Sequence, residues 1–554
     1  MPTSDPITMQ VIRYALEQIA DEMGYTMVRT SRSTIIKEIM DITCAVFDGN
    51  GKTLAQAHHA PMLLTGFEIT MERLLQEFPE DDLHDGDIII ANDPYQGGQH
   101  IMDIQTFAPV RYGDRVVGFV GSIAHHTDMG GAAAGGVAGG LTEIFMEGLR
   151  LPMVKLYKKG EPDKEIFGII ANNIRVPDKT IGDIKAQAAS GFVGVRRMKE
   201  IFDKYGVDTV RECSQMLQNY SESRIRDGLK KIPDGTYTGI DYVDDDGVSD
   251  DPIKIQVNVH KKGDSAIVDF KGTDLQVRGN TNCPIATTHA AVYYALICVI
   301  DPHVPPNSGC YRPFEIEVEE GLVVNPRMPG AVAARTNTSQ KIAEAMLKAL
   351  SQALPQQVTA GSHGQITTCG FSGVNPKNNK RFVYIDIQGG GAGARAMKDG
   401  RDGQDSHLAR FMNTPIEAAE LEHPVRIERY ELIPDSGGAG KYRGALSPRR
   451  DIRMLANDIT FSRYADRQKF PPWGVFGGKD GLPGKLIINP DTPEEEQIPS
   501  KGLMKLKKGD VISLRCPGAG GYGDPQERDP ELLKDDLRDG KVSQESARKD
   551  YGME

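Results

Sequence analysis

The stretch from Asn92 to Asp128 holds the densest set of chemistry-bearing side chains in this 554-residue chain. It begins Asn92-Asp93-Pro94-Tyr95-Gln96-Gly97-Gly98-Gln99-His100-Ile101-Met102-Asp103 and closes on His125-His126-Thr127-Asp128. Asp93, His100, Asp103, His125, His126 and Asp128 are all ligand types. Imidazole and carboxylate with no cysteine nearby suit zinc, manganese or iron. Such a site with an open position binds water, lowers its pKa toward neutrality and polarises carbonyls. His100 and Asp103 stand three apart, within one turn of each other. His125 follows one strand later, so neighbouring strand ends can bring the three together. Spacing leaves two points open. Asp and Asn favour turns for their own hydrogen bonding, so capping alone can account for much of the cluster. Either His125 or His126 can be the ligand, with the other orienting substrate or bonding a ligand from behind.

Other motifs carry less. His58-His59 either line the same cleft or simply follow a hairpin. Gly437-Gly438-Ala439-Gly440-Lys441 has Tyr442 where a phosphate loop needs Ser or Thr, and reads as a turn. Gly389 to Gly393 reads as a glycine-rich loop, with a backbone anion nest as the alternative. Asp405, Ser406 and His407 are adjacent in sequence, which does not suit a catalytic triad. Cys283 reads as a buried thiol.

These residues need elements to position them. Ser4 or Asp5 caps a first helix, with Pro6 in its first turn and Gly24 as its stop. Ile42-Thr43-Cys44-Ala45-Val46-Phe47 is a strand, Asp48-Gly49-Asn50-Gly51 a tight turn, and a return strand follows. A helix starts near Gly66. Ile88 to Ala91 and Arg115 to Ala124 are strands that end at the polar clusters, where ligands can be held rigidly. Residues 129–140 form a glycine-rich loop able to gate a site. Helices follow over 180–205 and 207–229, a β-rich stretch over 234–270, and helices again over 286–300 and 338–354. Short strands and glycine-rich turns fill the section after 360.

Hydrophobic residues make up 39% and charged residues 26%, which predicts a folded globular protein. The formal charge of −12 and the absence of a basic, aromatic-rich block argue against nucleic-acid binding. The start of the chain has no signal-peptide pattern, and no run of roughly 18 apolar residues predicts a membrane span. Seven scattered cysteines without a Cys-x-x-Cys pair suit a reducing cytoplasm. The expected fold class is α+β: a multi-lobed mixed α/β chain with a metal-binding N-terminal lobe and β-rich middle and C-terminal lobes. Its expected divisions are a catalytic lobe over 1–230, a middle lobe over 231–360, a C-terminal lobe over 361–524 and a charged tail over 525–554.

Several blocks together resemble a known family. They are Arg29-Thr30-Ser31-Arg32-Ser33 to Glu38-Ile39-Met40-Asp41, Asn92-Asp93-Pro94-Tyr95 to His100-Ile101-Met102-Asp103, and Ala124-His125-His126-Thr127-Asp128-Met129-Gly130-Gly131. Gly279 to Pro284, Pro305 to Gly309, Pro434 to Gly438 with Arg443-Gly444, and Pro517 to Pro525 extend the match over nearly the whole chain. The chain resembles the hydantoinase B / N-methylhydantoinase B family, which also takes in the C-terminal part of 5-oxoprolinase, the caprolactamase β subunit and one subunit type of acetone and acetophenone carboxylases. The resemblance implies a hydantoinase A-type partner that uses ATP and Mg to phosphorylate a small cyclic amide. This chain would then hydrolyse the intermediate at a divalent metal ion. The implied ligands are Asp41, His100, Asp103 and His125, with His126 and Asp128 moving protons or supporting the ligands. The implied assembly is an α2β2 hetero-oligomer. Two other readings stay open: a subunit of an ATP-dependent carboxylase, and a non-catalytic scaffold for the ATP-binding partner.

Overall fold

The structure, a computed structural model, describes residues 5–64, 66–405 and 407–553. Ser4, one of the two expected helix caps, and Ser406 lie outside the described residues. The first helix is Pro6–Thr30, capped by Asp5, whose side chain accepts from the Ile7 and Thr8 N–H groups. Gly24 does not stop it. A Cβ at Gly24 would stand 2.3 Å from His59 Cε1, so the glycine lets the His59 ring lie against the helix. Met27, one turn further on, is fully buried, and its packing carries the helix past the glycine.

Seven strands form one antiparallel sheet, in the order β2-β1-β5-β4-β3-β6-β7. They are β1 (Ile42–Asp48), β2 (Thr53–Gln56), β3 (Ile88–Ala91), β4 (Asp103–Tyr112), β5 (Arg115–His125), β6 (Val154–Lys158) and β7 (Glu161–Pro162). The first hairpin, the helix Gly66–Glu77 and the strands at 88–91 and 115–125 stand where the sequence pattern places them. β4 was not anticipated. Pro109 sits within it, and a proline in a run argues against a central strand. Here β3 pairs only with Gln105 to Phe107, so Pro109 lies beyond that pairing and costs no bond on that side.

The helices Pro6–Thr30 and Pro177–Tyr205 pack together, and Gly194 lets Met23 approach so closely that a Cβ there would meet its sulfur at 2.5 Å. Phe47, Phe67 and Phe107 interlock with ring centroids 5.3–6.4 Å apart, joining the helix Gly66–Glu77 to the sheet.

A four-stranded sheet follows, made of Gly235–Val243, Ile253–Lys262, Ser265–Asp269 and Phe314–Glu317. The helix Arg335–Leu350 lies so close to it that a Cβ on Gly239 would meet the Ala345 carbonyl at 1.9 Å. Two further sheets lie within 367–515, and Phe371, Phe461, Ile452 and Leu514 are in the core they share. Buried ion pairs tie Asp241 to Arg467 (2.7 Å) and Lys341 to Asp466 (2.9 Å). The tail forms helices Pro530–Arg538 and Gln544–Tyr551, anchored by Arg528 on Asp399 and Asp536. The mixed α/β class with several sheets agrees with the sequence reading. Among the described residues, no helix is long and apolar enough to cross a membrane.

Candidate metal centre

Strand register builds the site. β1 pairs with β5 so that Ile42 faces Ala124, and the next residues along are Asp41 and His125, whose N–H donates to the Asp41 carbonyl at 3.0 Å. β5 pairs with β4 so that His125 stands directly opposite Asp103. Asp41, His125 and Asp103 therefore form one row across three adjacent strands, and residues in such a row point to one face. His100 joins from the turn before β4, where its carbonyl accepts the Asp103 N–H at 2.9 Å. Gly98 makes that turn possible, because a Cβ there would meet the Asp93 carbonyl oxygen at 2.7 Å. Met40, at φ 58°, swings the chain from the short helix Thr34–Lys37 into β1 and brings Asp41 to the row.

The functional atoms meet closely. His100 Nε2 lies 3.2 Å from His125 Nδ1 and 3.1 Å from Asp103 Oδ1, and His125 Nδ1 lies 3.3 Å from that same oxygen. Asp41 Oδ2 is 3.7 Å from His125 Nδ1. Among the described residues, His100, Asp103 and His125 are the one group of His, Cys, Asp or Glu side chains placed to share a metal ion. The donor set fits such an ion. Metal–nitrogen bonds of about 2.0–2.1 Å in a tetrahedral site separate ligand atoms by roughly 3.3 Å, close to the spacings found here.

Burial pushes the Asp41 carboxyl up to about 7 and the His100 imidazole down to about 3. Burial would also raise Asp103, but His100 and the Arg335 guanidinium hold it well below the usual carboxylate range. Because His100 is neutral near pH 7, Arg335 is the standing charge that keeps Asp103 ionised. A neutral imidazole beside an ionised carboxylate is the protonation state that metal ligation requires.

The neighbouring residues have other partners. His126 points to the opposite side of the sheet, as alternation along a strand demands. Its Nε2 pairs with Gln187 Oε1 at 2.8 Å on the helix Pro177–Tyr205, and Gln187 donates onward to the Ile104 carbonyl at 3.0 Å. Asp128 accepts from the Arg175 N–H (2.6 Å) and from Arg175 Nη1 (2.8 Å). Asp93 caps the short turn at Pro94–Gln96. His59 packs on the first helix, and Arg410 donates to the His58 carbonyl. The 129–140 loop is packed in place: Gly136 lies on Met102, Gly139 lies on Lys501 and Gly502, and Asn280 donates to the Ala138 carbonyl at 2.9 Å. Cys283 is buried, and burial pushes its thiol up to about 12. Asp405 lies 3.3 Å from His363, and His407 lies 2.8 Å from Glu344.

Sequence reasoning missed Arg335, which reaches Asp103 Oδ2 and lies 3.4 Å from Gln99 Oε1. The sequence carries no motif for it, and only burial in the structure marks it. Arg335, Asn337, Thr338, Ser339, Gln340 and Lys341 form a polar run in a helix, yet all are buried. Glu147 was missed as well; it accepts the N–H groups of Val332 and Ala333, each at 2.7 Å, just before that helix.

The whole chain is similar to several known proteins. The B subunit of a putative D-/L-hydantoinase from Pseudomonas sp. (strain NS671) is 39% identical, over 99% of this chain and 95% of that one. The β subunit of the caprolactamase of Pseudomonas jessenii is 33% identical, over 100% of this chain and 97% of that one. The crystal structure of the ATP-dependent caprolactamase from that organism superposes with a TM-score of 0.93 at 31% identity, over 99% of this chain and 96% of that one. The nucleotide-free structure of acetone carboxylase shares the fold, with a TM-score of 0.90 at 18% identity, over 99% of this chain and 79% of that one. The family model described as hydantoinase B/oxoprolinase matches residues 5–525, and the chain belongs to that family.

Proposed function

We propose that this chain is the metal-bearing subunit of an ATP-dependent cyclic amide hydrolase. It acts on a hydantoin, lactam or 5-oxoproline ring that a separate ATP-binding subunit has phosphorylated. The observation that carries this reading is the buried trio His100, Asp103 and His125, whose ligand atoms lie close enough to share a divalent ion, with Asp41 next to His125 at 3.7 Å. The names of the relatives, the B subunit of a hydantoinase and the β subunit of a caprolactamase, support a cyclic amide substrate and a partner subunit.

In this reading Asp41, His100, Asp103 and His125 hold zinc, manganese or iron. When bound, the ion supplies a Lewis acid and a water of lowered pKa. Water adds to the phosphorylated carbon and the C–N bond breaks, the ring nitrogen taking a proton as an acyl phosphate forms; a second water then releases phosphate and leaves the carboxylate of the opened ring. His126 and Asp128 are positioning residues. His126 locks the end of β5 to Gln187, and Asp128 fixes the loop after it through Arg175. The working assembly is a hetero-oligomer with the ATP-binding subunit.

The test is co-purification with that partner, elemental analysis, and assay of ATP-dependent ring opening on a panel of cyclic amides. His100→Ala should abolish both turnover and bound metal in a folded chain. An active metal-free variant, or incorporation of labelled bicarbonate in place of ring opening, would overturn the proposal.

A further inference from the structure

Arg335 is 1% exposed, yet it uses only part of its hydrogen-bonding capacity. Its Nη2 bonds Asp103 Oδ2 and lies 3.4 Å from Gln99 Oε1, while Nε and Nη1 are buried with no acceptor. Leaving guanidinium N–H groups buried and unpaired is costly unless a bound group accepts them. The place is also specific. One oxygen of Asp103 holds Arg335, and the other faces His100 Nε2 at 3.1 Å and His125 Nδ1 at 3.3 Å. A group held at the candidate metal ligands therefore lies beside this guanidinium.

The charge balance points to an anion. Asp41 and Asp103 would offset a bound divalent ion, and Asp103 meets Arg335 through a single oxygen, so the guanidinium has Nε and Nη1 left for an anion. Arg335 is also the first residue of the helix Arg335–Leu350, whose N-cap Ala334 supplies no side-chain acceptor, so the positive end of the helix adds to the field. A neutral ring amide needs no such charge. A tetrahedral oxyanion does, and the planar guanidinium matches phosphoryl oxygens.

We propose that Arg335 is the phosphoryl-binding residue of this centre. Tethered by Nη2 to Asp103, it offers Nη1 and Nε to the oxygens of the phosphorylated reactant, and then to the phosphate that leaves. The proposal rests on the ring-opening reading above, which brings a phosphoryl group to this centre.

The test measures binding of inorganic phosphate by calorimetry to the full-length, metal-loaded chain without nucleotide. Arg335→Gln should bind phosphate roughly tenfold or more weakly than the parent while keeping its metal. Arg335→Lys, which keeps the charge and loses the fork, should fall between the two. Parental phosphate affinity in both variants would overturn the proposal, as would failure of the parent to bind phosphate. Loss of metal from both variants would also overturn it and would leave Arg335 the single role of holding Asp103. Phosphate binding that depends on Arg335 in a protein unable to open any cyclic amide would refute the ring-opening reading and leave the anion site standing.

Discussion

Replacing Asp103 with Asn separates the two tasks of this carboxylate. It nearly conserves shape but removes the charge shared by Arg335, His100 and His125. Arg335 and Asp103 are each 1% exposed, so the substitution strands a buried guanidinium. Removing one partner of a buried pair costs about 3–5 kcal/mol, whereas replacing both charges with apolar groups of similar volume is close to neutral. Asp103→Asn should therefore lower the urea midpoint clearly and lose the metal. Adding Arg335→Met should recover most of the stability and none of the metal. The assay is a double-mutant cycle in urea, with elemental analysis of each protein. Two results would refute the reasoning: a single variant as stable as the parent, or a double variant that regains the ion. The first would mean that the pair does not bear on stability, and the second that Asp103 is not a ligand.

Three further outcomes follow from the geometry. His125→Ala should lose bound metal while His126→Gln keeps it, since His126 faces Gln187 across the sheet; elemental analysis of both checks the assignment, and metal loss from the His126 variant alone would reverse it. Gly24→Ala should destabilise by about 1–3 kcal/mol despite a helix-propensity gain of up to about 1 kcal/mol, because its Cβ would meet His59 at 2.3 Å; His59→Ala in the same chain should restore the denaturation midpoint. Burial raises the Glu147 carboxyl from 4.5 to about 8. A raised acid is protonated when folded and ionised when unfolded, so its contribution is present below pH 4.5 and is lost as pH rises to about 8. At about 1.4 kcal/mol per unit, Glu147→Gln should remove a fall of up to about 5 kcal/mol across that window, read from denaturation midpoints against pH; an unchanged pH profile would count against a buried neutral carboxyl.

Much of the fold was legible because its signals are local. The period of the apolar residues marks the helices Pro177–Tyr205 and Val207–Leu229, and the Asp48-Gly49-Asn50-Gly51 turn marks the first hairpin. The failures came where tertiary contact outweighed local preference. Gly24 reads as a helix stop until His59 is seen lying against it, and the strand Asp103–Tyr112 goes unassigned, its Pro109 lying beyond the residues that pair with β3.

The site divides in the same way. Spacing marks His100 and Asp103 because one turn joins them, but it leaves His125 and His126 open, because strand alternation decides only when the buried partners on each face are known. Gln187 on one side and Asp103 on the other supply that decision. Asp41 is distant in sequence from the other three, so only β1–β5 pairing, or a family resemblance, brings it in. Arg335 is more distant still and carries no motif. Its polar helix face makes sense once Asp103 is seen to need a fixed positive charge in a place closed to water. While no metal ion is bound, Arg335 supplies the charge that keeps this buried carboxylate ionised beside neutral imidazole; a bound ion then supplies positive charge of its own, and the guanidinium is free to serve an anion as well.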